Sequence, residues 1–407
     1  MAFGSNIDQR KKNKRNHVVD LFRRNELLSK IQARKISGYS MNTILTIFDS
    51  LIDEKIIVEA DGAQKPLGRK ATFYRLNDRK MLYLGITFNQ SGIYSSLVSF
   101  SHGVAESHET RLKADITRDG FVDALRRHID EILEKNHQYR ASCVAAGISV
   151  PGDIDTETGI LRSYTLMPRL NGLNFLELLR GALPKRRVLI DHNIRSMTSY
   201  FLLERELIEN YNKILFISAR SGTANGLISG GIIVTAHGEI GHVRVSDEPV
   251  KCICGRTGCL DHYFSYNSFM QLIRDRVDPS FDDSGKTGET TGLNLLARLY
   301  GEGDQKVREE LDARLCRFAM AMLDVINVTV PDLVILSGEL LQVYGDPGEA
   351  LKRVISRNFL DSGYVPHYRH AAFSYRELGT GIASLGICHG MIREDWDYIL
   401  AAEPERD

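Results

Sequence analysis

Three cysteines fall within eight residues, Cys252-Ile253-Cys254-Gly255-Arg256-Thr257-Gly258-Cys259, and His242 stands ten residues before the first of them. No other feature constrains the fold of this chain as tightly. Gly255 and Gly258 permit the sharp turns through which three thiolates converge. Three thiolates and one imidazole satisfy a tetrahedral zinc at about 2.0–2.3 Å. Four protein ligands leave no coordination position open. His242, Cys252, Cys254 and Cys259 therefore read as one structural zinc site per chain. The competing reading is three reduced thiols in a surface loop. Cys143, Cys316 and Cys388 are scattered, and six cysteines in 407 residues are no disulfide framework.

Charge divides the chain. Lys+Arg and Asp+Glu both number 52, yet residues 1–80 hold 17 cations against 9 anions. A head of +8 thus sits on a body of −8, as expected where the head meets a polyanion. The apolar fraction of 43% excludes wholesale disorder. No run approaches the roughly 18 apolar residues of a membrane span, and Met1 to Lys14 has no apolar core of a signal peptide. The expectation is a cytoplasmic protein without membrane insertion.

The first eighty residues carry the pattern of a winged helix-turn-helix. Val18, Leu21 and Phe22 share one face of a helix over 17–24. Ser29 caps a second helix, Lys30 to Lys35, with Ile31 as its inward anchor, and Gly38 frees the following turn. Ser40 caps a longer helix with Ile44, Ile47, Phe48, Leu51 and Ile52 inward. Ser40, Asn42, Thr43 and Thr46 are then offered to base edges and phosphates of duplex DNA. Strands at 56–59 and 72–76 flank a tip in which Lys65, Arg69 and Lys70 suit a wing on phosphates or in a minor groove. A three-helix packing module without DNA is the alternative.

From Met81 the period changes to two. Strands are expected at 82–88, 93–100 and 104–110, a helix near 121–135, and buried strands at 143–150 and 188–191. The succession begins again with strands at 214–218, 226–229 and 232–235, long helices, and a strand at 333–336. Two α/β lobes of one ancestry follow, with the cleft between them as the default ligand site. The expected domains are 1–78 with its basic arm, 79–199 completed by a C-terminal helix at 385–407, and 200–384 with the zinc site. Residues 77–80 form a short arm between head and body.

Glu239-Ile240-Gly241-His242, the three cysteines, and Gly258-Cys259-Leu260-Asp261 together resemble the signature of the ROK family of repressors and sugar kinases. The basic head resembles that of its sugar-responsive repressor branch, the glucose, N-acetylglucosamine and xylose regulators. The resemblance implies a two-lobed sugar kinase/actin-like (ribonuclease H-like) domain, assembly as homodimer or homotetramer, operator DNA as partner, and a sugar or sugar phosphate as effector. It places sugar ligands at Asn171, Asp191, Glu239, His242 and Asp261. Carboxylates accept adjacent sugar hydroxyls through charge-assisted hydrogen bonds, and His242 can give one ring nitrogen to metal and the other to sugar. Ile190 stands where the family has Asn, and Asp261 where it has Glu.

The family's kinases hold phosphate on two turns, rich in glycine, and adenosine on a third. Here those places read Thr87-Phe88-Asn89-Gln90-Ser91, Arg220-Ser221-Gly222-Thr223-Ala224-Asn225-Gly226 and Ser337-Gly338-Glu339. Phosphoryl transfer rests on positioning and electrostatic stabilisation, so a catalytic base such as Asp191 without a phosphate cradle is insufficient. The reading is a sugar-responsive DNA-binding repressor and not an enzyme. The alternative is a sugar kinase with a regulatory head, and a docking partner for the acidic body is a third possibility.

Overall fold

A computed structural model describes residues 14–22, 25–60, 71–101, 103–164, 166–184, 186–252, 254–282, 291–356, 366–374 and 377–383. The chain forms two compact units, Met1–Arg205 with Tyr375–Asp407, and Glu206–Ser374.

The first unit opens with helix α1 (14–22), whose Val18, Val19, Leu21 and Phe22 are buried. Strand β1 (Leu28–Ser29) leads into α2 (Lys30–Ser37). Ser29 and Gln32 close a capping box, which satisfies two otherwise orphaned N–H groups, and Gly38 ends the helix at φ 71°. Only Ala33 of α2 is buried. Ile31 is 63% exposed, contrary to its expected anchoring role. Two residues along a helix is a turn of about 200°, so the face that buries Ala33 turns Ile31 outward.

Helix α3 (Met41–Asp53) buries Ile44, Ile47, Phe48 and Leu51. Strands β2 (Ile57–Glu59) and β3 (Phe73–Leu76) complete an antiparallel sheet of order β1-β3-β2. Phe48 has no exposed surface and meets Phe22 at 5.3 Å and Tyr74 at 5.5 Å between ring centroids.

Strands β4 (Leu82–Phe88), β5 (Gly92–Ser99) and β6 (Val104–Arg111) form a meander. Helices α4 (Arg118–Glu134) and α5 (His137–Ser142) and strand β7 (Cys143–Val150) follow. A small hairpin, β8 (Asp153–Ile154) and β9 (Leu161–Ser163), precedes α6 (Phe175–Ala182), β10 (Arg187–His192) and α7 (Asn193–Tyr200). The sheet order is β10-β7-β4-β5-β6, with β10, β7 and β4 parallel.

Period two decides what each face of this sheet meets. Leu82, Leu84, Ile86, Ala146 and Ile148 pack with Phe121, Leu125 and Ile129 of α4. On the other face Tyr83, Val98, Phe100 and Ala145, together with Val144 at a register shift, join Val18, Phe22, Phe48 and Leu76 in one continuous core. The head is therefore not carried on an arm. The link at 77–80 is also pinned: Asn77 N–H donates to Ile56 O at 2.9 Å, its Nδ2 to Lys55 O at 2.9 Å, and Lys80 Nζ to Glu54 O.

The same face receives the last described helix, residues 377–383. A Cβ on Gly85 would lie 1.8 Å from Gly379 O, so helix and strand touch through their backbones. Beneath the sheet His128 of α4 is fully buried between Thr110 Oγ1 and Ser95 Oγ, each at 2.7 Å from one ring nitrogen. Burial, with His108 and Lys135 nearby, pushes its pKa down to about 3.

After α8 (Arg205–Asn210), the second unit repeats the pattern with β11 (Lys213–Ala219), β12 (Thr223–Ser229) and β13 (Ile232–Gly238). Helices α9 (Leu260–Tyr263), α10 (Tyr266–Arg276), α11 (Thr291–Glu302) and α12 (Gln305–Thr329) come next. Then follow β14 (Leu333–Ser337), α13 (Glu339–Gln342), α14 (Pro347–Ser356) and β15 (His367–His370). The order β13-β12-β11-β14-β15, with β11, β14 and β15 parallel, reproduces that of the first sheet. The basic arm before residue 14, the tip at 61–70 and the expected helix at 385–407 lie outside the described residues.

Candidate metal centre and ligand site

The cysteine loop is shaped by its own backbone. Cys252 N–H donates to Arg256 O at 2.7 Å and Gly255 N–H to Cys252 O at 2.9 Å. Gly255 and Gly258 adopt φ 85° and 72°, and a Cβ on Gly258 would lie 2.0 Å from Ser246 O. Cys259 caps α9, and His242 ends a one-turn helix, Ile240–His242, just after β13. One ligand atom from each of His242, Cys252, Cys254 and Cys259 lies within 4.8 Å of all the others.

The spacing suits a metal. Cys252 Sγ is 3.6 Å from His242 Nδ1, and Cys254 Sγ is 3.6 Å from Cys259 Sγ. A disulfide needs about 2.05 Å. Zinc–ligand bonds of about 2.0–2.3 Å in a tetrahedron give edges of roughly 3.5–3.8 Å. The Cys254 thiol is pushed down to about 6, first by the Arg256 backbone N–H and then by its side chain, while burial and the neighbouring thiols push Cys259 up. This cluster of one histidine and three cysteines could hold a metal ion.

His242 presents Nδ1 to Cys252, and its Nε2 lies 3.8 Å from Glu239 Oε2. Asp261 sits against the same turn. Its Oδ1 accepts Thr223 N–H at 2.8 Å, and Cβ atoms on Gly222 and Gly241 would lie 2.7 and 2.3 Å from its carboxylate oxygens. Those two glycines make room for the carboxylate. Burial pushes Asp261 up to about 6, against the opposing pull of Thr223 and His242. The second unit thus brings Glu239, His242 and Asp261 together.

Asn171 and Asp191 belong to the first unit, each with local partners. Asn171 follows a one-turn helix, Pro168–Leu170, and its Oδ1 accepts Tyr164 N–H at 2.8 Å. Asp191 is 6% exposed, at the carboxyl end of β10 in register with Ser149, which is in turn in register with Thr87. Its Oδ1 accepts His192 N–H at 2.8 Å, and its Oδ2 lies 3.2 Å from Arg195 Nε. Arg195 escaped the sequence reading, because Asp191 stands on β10 and Arg195 on α7, so no helical i+4 pattern announces the pair.

Two of the turns singled out in the sequence are closed by the protein's own side chains. In the β4–β5 turn, Asn89 Oδ1 accepts the N–H groups of Ser91 and Gly92 at 2.8 and 2.9 Å. In the β11–β12 turn, Arg220 Nη1 lies 3.4 Å from Glu339 Oε1 and Nη2 donates to Phe373 O at 3.0 Å. Glu339 follows Gly338, whose φ of 121° brings it so close that a Cβ would lie 1.9 Å from Ala219 O. The pairing of Arg220 with Glu339 was not foreseen from sequence.

In the head, Ser40 and Thr43 are spent on each other: the Oγ atoms lie 2.9 Å apart and Thr43 N–H donates to Ser40 Oγ at 3.2 Å. Thr46 Oγ1 donates to Asn42 O at 3.0 Å. Asn42 is exposed. Exposed Arg34 and Lys35 end α2, two cations that the sequence reading passed over. Lys65, Arg69 and Lys70 lie outside the described residues. Among the described residues, no helix is long and apolar enough to cross a membrane.

Known proteins resemble this chain along most of its length. A xylose repressor of Caldicellulosiruptor bescii is 23% identical over 357 residues, 84% of this chain and 86% of its own. An N-acetyl-D-glucosamine kinase of Escherichia coli O9:H4 is 24% identical over 267 residues, covering 62% of this chain and 82% of its own. The crystal structure of a ROK family transcriptional regulator, a homologue of the Escherichia coli MLC protein, superimposes with a TM-score of 0.75 at 18% identity. The match covers 97% of this chain and all of the other. The ROK family pattern matches residues 100–392. With the matched segment taking up most of its length, the chain belongs to the ROK family.

Proposed function

We propose that this chain is a sugar-responsive, DNA-binding transcriptional repressor whose kinase-like body serves as a sensor and not as an enzyme. The observation that carries the proposal is the filling of both phosphate turns from within, by Asn89 and by the Arg220–Glu339 pair. Backbone N–H groups in such turns cradle phosphate only when they are free to point at it. Those of Ser91 and Gly92 are taken, and an anion at Arg220 would have to displace Glu339. The likeness to the ROK regulator structure takes in 97% of this chain, and so most of the head, whereas the match to the kinase takes in 62%.

The head is read as a winged helix-turn-helix, with α3 in the major groove and the β2–β3 tip as the wing. Glu239, His242 and Asp261 are the hydroxyl ligands for the sugar, and Asn171 and Asp191 keep their proposed part as further ligands. Zinc is the metal for His242, Cys252, Cys254 and Cys259, in a structural role. With zinc on Nδ1, His242 keeps its proton on Nε2 and can donate it to Glu239 or to a sugar hydroxyl.

The test selects bound fragments from random duplex DNA with the full chain, then adds pentoses, hexoses, N-acetylhexosamines and their phosphates. Discrete enriched sites whose affinity shifts at least five-fold with one sugar are expected, with no turnover on ATP, Mg²⁺ and the same sugars. Phosphoryl transfer that disappears in Asp191→Asn would overturn the proposal in favour of a kinase.

A further inference from the structure

Helix α3 presents an apolar side chain on its outward face. Its inward face is Ile44, Ile47, Phe48 and Leu51. Outward stand Asn42, Leu45, Thr46 and Asp49, all exposed. Leu45 is 37% exposed. Among the described residues, the other exposed large apolar residues of the head, Leu27, Ile31 and Ile36, are not on this helix.

The local hydrogen bonds narrow what this face offers a nucleic acid. Ser40 and Thr43 cap one another, and the Thr46 hydroxyl is turned back onto Asn42 O. Asp49 is neutralised by Lys30 Nζ at 3.2 Å. It stands two turns along the helix, where an uncompensated acid would repel phosphate. Within the first turn and a half, the exposed side chains left to meet base edges are Asn42 and, three residues on along the same stripe, Leu45. The cations Arg34 and Lys35 at the end of α2, without an ion-pair partner among the described residues, supply the complementary charge for a phosphate backbone.

We propose that Leu45 is a specificity-determining residue that packs on the C5-methyl group of a thymine in the major groove, with Asn42 beside it on an adenine. The inference deepens the DNA-reading role proposed above and rests on it. In the major groove thymine alone shows a methyl group among the donors and acceptors of the four bases, so an apolar contact there carries sequence information. Asn42 has the amide that pairs bidentately with adenine N6 and N7. The contact is selective for the base and indifferent to salt, unlike a phosphate contact.

The experiment takes the duplex that the full chain selects from a random library and replaces each thymine in turn by deoxyuridine, which lacks only the methyl group. Affinity is measured for the unaltered chain and for Leu45→Ala, which leaves the buried face of α3 untouched. At one thymine, uracil should weaken the unaltered chain by roughly three- to ten-fold, the effect of one buried methyl group, and should leave Leu45→Ala unchanged. A library that enriches a duplex in which no thymine is methyl-sensitive, or in which Leu45→Ala keeps the full uracil penalty, overturns the role of Leu45 and spares the DNA-reading role. A library that enriches nothing overturns both.

Discussion

The two units carry the same five-stranded sheet and close its first turn by different chemistry. At β4–β5 a neutral amide oxygen accepts two backbone N–H groups three residues or fewer away. At β11–β12 a guanidinium is tied to a carboxylate 119 residues away in the chain. The faces differ as well. One face of the first sheet shares its core with the head. The second unit instead carries the metal-ligand loop, whose turns depend on two left-handed glycines. The lesson is that a duplicated sheet supplies positions, and the connections decide what each copy does with them.

The largest effect should come from the metal ligands. On the proposed zinc assignment, Cys254→Ser, or chelation, should take the zinc content from one per chain to none. It should lower the melting temperature of the second unit by roughly 15 °C, because metal binding free energy is folding free energy. Hydrogen exchange should locate the loss at β11 and β14 and leave β4 and β7 protected. Equal loss in both units would erase the distinction between them. Next comes the shared core. Phe48→Ala should cost about 3–5 kcal/mol. Since Phe48 shares its cluster with Tyr83, Val98 and Phe100, exchange should quicken in β4 and β5 together with the head. Loss confined to residues 14–76 would show that head and sheet unfold separately.

A third effect belongs to the first sheet and depends on pH. His128 is held neutral, at about 3, by burial, with the ring of His108 and Lys135 adding to it; Glu131 pairs with His108 at 2.8 Å. The folded pKa lies below the ordinary value near 6.5. Between the two values the unfolded chain binds a proton that the folded chain refuses. The stabilising contribution is therefore complete above pH 6.5 and is lost as pH falls through the window. By pH 5 the loss is roughly 2 kcal/mol. In His128→Asn this part of the slope should vanish in denaturant titrations at pH 7 and 5, whatever the variant's stability at neutral pH.

What could be read in advance followed from local periodicity and local chemistry. The run Cys143–Val150, apolar but for Ser149, is β7, end to end. Ser29 and Ser40 cap the helices they were expected to cap. The thiolate cluster converges as its glycines implied. Contacts between distant segments stayed hidden, because neither partner disturbs the pattern around it. Tyr83 and Val98 read as ordinary strand residues, and nothing near them announced that they would finish the core of the head. Strand β15, with the sequence His-Tyr-Arg-His, lies at a sheet edge and shows no buried alternation. Arg220 read as a departure from a Gly-rich loop, and its partner could be found only in three dimensions.

The smallest effect separates the two closures most directly. Glu339→Gln removes one charge from a pair whose side chains are 15% and 25% exposed. The cost should be about 0.5–1 kcal/mol, toward the upper part of the range for ion pairs near a surface. Asn89→Ala should cost a similar amount, by leaving two N–H groups to water. Their response to salt should differ. Raising salt from 0.1 to 1 M shortens the screening length from about 10 to 3 Å, so the penalty of Glu339→Gln should shrink while that of Asn89→Ala stays constant. Urea titrations of the two variants at both salt concentrations give the four values required. Identical salt behaviour would mean that Arg220 is held by its bond to Phe373 O and not by Glu339, and the second turn would then be closed, like the first, by hydrogen bonding alone.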